Sequence, residues 1–395
     1  MISVEEAKQL VEQHTGLLQP CAVGLNNALG YVLSQDIVAP VSLPPFPQSA
    51  MDGYALCGSG KDGLHGAYKL VGEIRAGDET NITLKEGEAV RIFTGAMVPE
   101  DISSVVRQED VTIRDGEVLV PGEVKPGSNI RHTGDQIQCG EMALGSGTVL
   151  TPACIGFLAG LGLREVNVYP RPRVGLVVTG SELVQPGHPL RPGQIYESNS
   201  ATLAAALEST GFSVAGKMII GDDFERTVQA IGTMAGHHDI VIMSGGISVG
   251  DYDFVKRAME ELHVETVFYK INQKPGKPAF FGKRQGRLLF ALPGNPSAAL
   301  LCYYQYVLPA LRKMSGISPV SLEIRWLPMA APFIKKEERA CFLKAKVNGG
   351  QVEVLDKQGS DMLLGFANAD ALIYIPANKS GVGRGEEVEV HMLPS

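Results

Sequence analysis

The run Asp239-Ile240-Val241-Ile242-Met243, passing directly into Ser244-Gly245-Gly246-Ile247-Ser248-Val249-Gly250, decides the fold of this chain. A short apolar run of this kind reads as a strand buried on both faces, and the glycines after it as a turn that opens a helix. The same texture repeats on either side. Upstream, the spacing predicts a strand over Val174–Val178, a helix over Ser200–Ser209, a strand over Ser213–Ile220 and a helix over Phe224–Ala235. Downstream it predicts a helix over Tyr252–Leu262, a strand over Glu265–Ile271, a hairpin over Ala279–Ala291 and a helix over Ser297–Lys313. Strands alternating with helices argue a doubly wound, mostly parallel sheet, whose ligands bind beyond the carboxyl ends of the strands.

At 395 residues the chain exceeds one ordinary core, so several domains are expected. Ser3 is placed to cap a helix running to about Val11, and a second helix is expected near Leu25–Leu33. From Val41 to Gly140, glycine, proline and short alternating runs (Ala89–Phe93, Ser104–Arg107, Glu117–Val120) indicate a small β unit. A helix over Cys154–Leu163 and a strand over Glu165–Tyr169 come next, and short strands return beyond Ser318. The expected fold class is multidomain α/β plus β. Residues 1–43 with 141–170 form a helical linker domain, 44–140 an inserted β domain, 171–316 the α/β domain, and 317–395 a barrel-like C-terminal β domain.

Composition narrows the function classes. With 44% hydrophobic and 20% charged residues the chain is an ordinary globular protein. It has no apolar run near the roughly 20 residues that span a bilayer. Its acidic N-terminus lacks the basic start of a signal peptide, so a cytoplasmic protein is expected. The six cysteines are dispersed and no HExxH occurs, which excludes a zinc ribbon or CxxC redox site. Any metal is expected to be a hard one such as Mg²⁺. Net charge is −8, yet Val264–Arg284 holds five basic residues against one acid. Such a local cationic patch suits a specific anionic ligand, phosphate first, and not nucleic acid.

Two rigid turns carry those cations and backbone donors: Lys274-Pro275-Gly276-Lys277-Pro278 and Leu292-Pro293-Gly294-Asn295-Pro296-Ser297. The amides of the 244–250 turn at a helix N-terminus are suited to an anion, though a ligand-free turn has the same composition. Gly246-Ile247-Ser248-Val249-Gly250 also matches a nucleophile elbow. That chemistry needs a carboxylate and then a histidine downstream; only His263 and His391 are available, and His263 sits at the far end of the next helix. Gly58-Ser59-Gly60-Lys61-Asp62-Gly63 has the dinucleotide spacing without its strand and helix, so a surface loop is the better reading. Asp222-Asp223, Asp251-Tyr252-Asp253 and Glu182 fall in strand-end loops. Singly each is a candidate helix cap; together they resemble a Mg²⁺-assisted phosphate site.

Gln48-Ser49-Ala50-Met51-Asp52-Gly53-Tyr54-Ala55 and Arg91-Ile92-Phe93-Thr94-Gly95-Ala96-Met97-Val98-Pro99 each set a polar residue beside a glycine among apolar neighbours. With TGSEL at 179–183, SGGISVGDYDF at 244–254, KPGKP at 274–278, LPGNPSA at 292–298 and QGS at 358–360, in this order, the chain resembles the molybdopterin molybdotransferase family. That family is known as MoeA in bacteria and as the E domain of gephyrin in animals. The resemblance implies an elongated homodimer whose site lies between the α/β domain of one subunit and the inserted β domain of the other. It implies insertion of molybdenum from molybdate into adenylyl-molybdopterin, with release of AMP and possible contact with the molybdopterin adenylyltransferase and with molybdoenzymes.

Carried onto this chain, the resemblance implies that Asp52 and Thr94 reach in from the partner. Asp222, Asp251 and Asp253, with Glu182 nearby, hold Mg²⁺ and the pyrophosphate, and Lys274 and Lys277 neutralise phosphate or molybdate oxygens. Thr179, Gly180, Ser244, Gly245, Gly246, Gly250, Pro293, Asn295, Pro296 and Ser297 seat the substrate, and Arg339 and Ser360 bind oxyanion. One position departs from the family: after Ile130-Arg131, Gln136 stands where the family commonly has Asp, next to Asp135. Either Asp135 substitutes through a loop shift or that carboxylate is dispensable. The alternatives are an adenylyltransferase acting on molybdopterin, a tungstate-inserting paralogue, and a peptide-binding scaffold.

Overall fold

Alternation within buried strands builds the centre of the larger of two compact units. The computed structural model describes residues 1–58, 64–79, 82–247 and 254–394. Met1–Cys21, Gly30–Ser34 and Val168–Ser395 form the first unit; Ala22–Leu29 and Gln35–Asn167 form the second. The first unit opens with α1 (Val4–His14), where Ser3 accepts a hydrogen bond from the Glu6 N–H at 3.0 Å. Its sheet then comprises β1 (Val174–Thr179), β2 (Val214–Ile220), β3 (Ile240–Ser244), β4 (Glu265–Tyr269), β5 (Phe280–Arg284) and β6 (Arg287–Leu292). The order is β2-β1-β3-β6-β5-β4, parallel from β2 to β6, with β5 and β4 added antiparallel.

Successive side chains on a strand point to opposite faces, and both faces are covered here. Leu176, Val178, Ile240, Ile242, Leu288 and Phe290 pack with α1, α2 (Asn199–Ser209) and the long C-terminal helix of the domain. Val177, Val241, Met243, Leu289 and Ala291 pack against α3 (Phe224–His237) and α4 (Phe254–Glu261). That long helix runs as α5 (Pro296–Cys302), a π-helical turn at Tyr303–Val307, and α6 (Leu308–Met314). Pro309 explains the wide turn, because proline lacks an N–H and crowds the carbonyl one turn back.

A second sheet in this unit holds β7 (Ile324–Pro328), β8 (Ala340–Asn348), β9 (Gln351–Val354), β10 (Ala371–Ile375) and β11 (Glu387–Met392). Its path is β8-β10-β11-β7, with β9 paired to β8 and Gln273–Lys274 added parallel to Ala340–Cys341 at the edge. The second unit is built on a six-stranded sheet, in the order Ser104–Arg107, Gly53–Leu56, Glu88–Ile92, Leu64–Ile74, Glu117–Val124, Thr112–Arg114. Tyr54 and Leu56 enter one core there and Ala55 the other.

The helix expected over Leu25–Leu33 does not form. Leu25–Asn27 makes a single 3₁₀ turn, and Val32–Leu33 is a strand paired with Val168–Tyr169. Asn26 and Asn27 are weak helix formers, and Gly30 at φ 74° stops any continuation of the turn. Among the described residues, no helix is long and apolar enough to cross a membrane.

Candidate active site

From β1 the chain passes outward to β2, and β3 returns on the other side of β1, so the crevice of this sheet opens where the order reverses. A cleft of about 640 Å³ lies there. Thr179, Gly180, Glu182, Asp222, Gly245, Gly246, Pro293, Asn295 and Pro296 line it from strand-end loops that the sequence singles out, joined by Pro278 of the lysine turn. The glycines are required sterically. A Cβ on Gly245 (φ 92°) would stand 2.2 Å from the Thr179 carbonyl oxygen, and one on Gly246 (φ 61°) 2.7 Å from Thr179 Oγ1. The 244–246 backbone therefore lies directly against the end of β1.

Ser244 braces this floor from below. Buried, it accepts from Asn199 Nδ2 at 2.8 Å and donates to the Pro293 carbonyl at 3.2 Å, while Asn199 also donates to the Gly294 carbonyl at 2.7 Å. Ser297 is likewise fully buried and accepts from Lys344 Nζ at 3.1 Å. Two buried atoms beside the cleft, Thr179 Oγ1 and Asn199 Oδ1, have no hydrogen-bond partner among the described residues.

The acids divide by role. Asp223 caps α3, accepting from the Arg226 N–H at 2.8 Å. Its neighbour Asp222 accepts the Ser181 N–H at 3.0 Å with one oxygen and lines the cleft. Glu182, Glu197 and Asp361 line it too, and among the described residues none of those lining it is basic. Gly250, Asp251 and Asp253 lie outside the described residues, as does the 248–250 part of the elbow-like motif. Among the described residues, no group of three or more His, Cys, Asp or Glu is placed to hold a metal ion.

Lys274 and Lys277 are carried on their turn, Lys274 exposed and Lys277 at its far end. Lys274 is paired with Glu337, which also takes Arg339 at 3.0 Å, and the two cations hold the Glu337 carboxyl below its ordinary pKa. Arg339 further donates to the Gln273 carbonyl at 3.3 Å. Beneath the turn, fully buried Gln273 donates to the carbonyls of Pro275 (3.0 Å) and Gly276 (3.4 Å), and Tyr306 donates to its Oε1. Burial pushes the adjacent Cys302 thiol up to about 12, so it is inert. Ser360 accepts from Asn295 Nδ2 at 2.7 Å, linking the QGS loop to the proline-rich turn.

In the second unit, residues 42 positions apart meet: Asp52 Oδ1 accepts both the Thr94 N–H (2.8 Å) and the Thr94 hydroxyl (2.7 Å). These bonds, the N–H first, hold the exposed Asp52 carboxyl below its usual range. Gly95 turns at φ 83°, and its N–H reaches the Ser49 carbonyl at 2.9 Å, locking the two motifs together. Asp135 closes its own turn, accepting the His132 N–H at 2.6 Å, while Gln136 is exposed.

Residues 2–162 match the MoeA N-terminal region (domains I and II), 175–313 a probable molybdopterin binding domain, and 327–393 the MoeA C-terminal region (domain IV). A molybdopterin molybdenumtransferase 2 of Mycobacterium tuberculosis is 35% identical over 99% of both chains. The chain belongs to the MoeA family. A Haemophilus influenzae molybdopterin molybdenumtransferase is 34% identical over 99% of this chain and 98% of its own. The molybdopterin biosynthesis MoeA protein of Pyrococcus horikoshii superimposes with TM-scores of 0.84 and 0.81 in two structures, at 29% and 27% identity, over at least 99% of each chain.

In this MoeA-family chain, Glu197, Asn199, Asp361 and Lys344 escape the sequence reading. Glu197 is buried and accepts the Ser200 N–H at 2.7 Å at the start of α2. Lys344 reads locally as an exposed residue of an alternating strand, yet it is 2% exposed. A polar Ser198-Asn199-Ser200 run directly after Glu197 was the available signal for a second helix N-terminus at the cleft.

Proposed function

We propose that the protein is a molybdopterin molybdotransferase, inserting molybdenum from molybdate into adenylylated molybdopterin with release of AMP. One observation carries the reading: the cleft at the sheet's reversal point occurs in a chain 35% identical, end to end, to a protein named for that transfer. The adenylyltransferase alternative is not favoured, because the regions flanking the α/β domain match MoeA as well.

Charge supports a role for Mg²⁺. Molybdate and a pyrophosphate link are both anionic, and Glu182, Glu197, Asp222 and Asp361 line the cleft. Anions approach such a wall when a divalent cation lies between. Hard carboxylate oxygens and the Thr179 hydroxyl, which has no partner among the described residues, suit Mg²⁺ in kind; Asp222, with Asp251 and Asp253, would hold it. When bound, it supplies charge neutralisation at the phosphate oxygens. Lys277, exposed on its turn, would receive an oxyanion. Asp52 and Thr94, prearranged by their two hydrogen bonds, would act from the second copy of a homodimer. The dimer, a cytoplasmic location and contacts with the adenylyltransferase and molybdoenzymes belong to the same proposal.

The test is AMP release from adenylylated molybdopterin with molybdate and Mg²⁺, comparing the native protein with Asp222→Ala and Lys277→Ala. Molybdate-dependent release that both changes and chelation abolish is expected. Tight pterin binding without release overturns the reading.

A further inference from the structure

Lys344 lies on β8 with its side chain pointing into the protein, where three protein oxygens receive its ammonium. Nζ donates to Ser297 Oγ at 3.1 Å, the Gly359 carbonyl at 3.0 Å and the Met362 carbonyl at 3.2 Å. All three acceptors are uncharged. An ammonium buried against neutral oxygens is costly to desolvate, and a methionine in its place would leave those three oxygens without this donor. Burial alone does not account for a lysine here.

Its acceptors do. Gly359 and Met362 bracket Ser360 and Asp361, and Asp361 lines the cleft. Ser297 stands at the start of α5, directly after Asn295 and Pro296, which line the cleft from the other side. One ammonium thus ties both loops. Further bonds run between them: Asn295 Nδ2 to Ser360 Oγ at 2.7 Å, and the Ala298 N–H to the Ser360 carbonyl at 3.0 Å. The lysine is held in turn by Gln358, whose amide accepts the Lys344 N–H at 3.0 Å and donates to its carbonyl at 2.8 Å. Room for the stem comes from Gly365, where a Cβ would stand 3.0 Å and 3.1 Å from Lys344 Cδ and Cε. Phe366 lies under the ammonium, 5.7 Å from centroid to Nζ.

We infer that Lys344 is a positioning residue of the transferase cleft, fixing the 292–298 and 358–362 loops so that Asn295 and Asp361 face the substrate. The inference rests on the transferase reading of the same cleft. Burial draws the ammonium's pKa down, and Asp361 opposes the shift.

The experiment measures KM and kcat for AMP release, thermal melting, and amide hydrogen exchange in the native protein and in Lys344→Met. KM for adenylylated molybdopterin should rise about tenfold with kcat within about twofold, the pattern of lost substrate binding. Amides of Ala298 and Met362 should exchange faster. A purely structural role would lower the active fraction, and so apparent kcat, while leaving KM unchanged. KM within about twofold of the native value overturns the inference. If Lys344→Met does not fold, Ser297→Ala removes one of the three contacts; about a threefold rise in KM is then expected, and no change overturns the inference. A native protein that releases no AMP refutes the transferase reading instead. Hydrogen exchange then decides on Lys344: unchanged protection at 298 and 362 refutes the tie between the loops.

Discussion

Tyr306→Phe isolates the support beneath the lysine turn. The change deletes one oxygen and keeps the ring, which packs against Phe268 at 6.3 Å between centroids. It removes the hydroxyl that donates to Gln273 Oε1, and Gln273 is 0% exposed, so water cannot replace it. A buried acceptor left without a donor costs about 1–3 kcal/mol. For a unit of this size each kcal/mol lowers Tm by roughly 2–4 °C, giving an expected drop of about 2–12 °C. Calorimetry on the purified chain reads it. The amide can recover a donor only by rotating, which breaks its bonds to Pro275 and Gly276 and moves the turn that carries Lys274 and Lys277. KM for the anionic substrate should therefore rise with the loss of stability. A variant whose Tm falls by less than about 1 °C, with KM unchanged, would refute the reasoning, because Gln273 would then not be holding the turn.

Gly245→Ala combines a positive φ with a Cβ 2.2 Å from a backbone oxygen; a loss of about 2–5 kcal/mol is expected in urea unfolding. Thr94→Val keeps the N–H bond to Asp52 and deletes the hydroxyl bond, so the Asp52 carboxyl, depressed in the native protein, should titrate nearer its ordinary value by carbon NMR. Under the transferase reading that variant also loses AMP release. Buried His391, hydrogen-bonded to Glu389 at 2.8 Å with Lys8 nearby, has its pKa lowered by burial. The unfolded chain then binds the proton first, so urea midpoints should fall as pH drops through about 6.5. His391→Gln should remove that slope.

Legibility in the sequence tracked how local the cause was. Val174–Val178 and Asp239–Met243 were readable because burial on both faces leaves an unbroken apolar run. Gly245 and Gly246 were readable because only glycine tolerates that approach to Thr179. Asp222 and Asp223 are identical neighbours, and only the direction of the chain entering α3 makes one a cap and the other a cleft group. Leu25–Leu33 misled because its apolar residues suit a helix while Gly30 and the strand at Val168–Tyr169 dictate otherwise. Lys344 and Asp361 could not be found, since each acquires its role from a loop that lies far off or is ordered only by tertiary contact. The lysine turn was legible as rigid and cationic, but the sequence did not show that Glu337 engages Lys274.

The placement of α1 has a consequence for the order in which the chain can mature. Val4, Ala7 and Val11 sit in the same core as Leu308, Leu311 and Tyr374, and the Leu18 N–H is held by the Met314 carbonyl at 2.9 Å. The ribosome delivers the first of these roughly 370 residues before the last, and domains generally fold as they emerge. The 35–167 stretch of the second unit is complete while α1 still waits for its partners. During that interval its apolar stripe is exposed, and just beyond it the Leu17-Leu18 pair lengthens the sticky segment. A nascent chain stalled near residue 200 should thus carry a finished β unit and an unsheltered apolar N-terminal segment, a natural point for chaperone engagement.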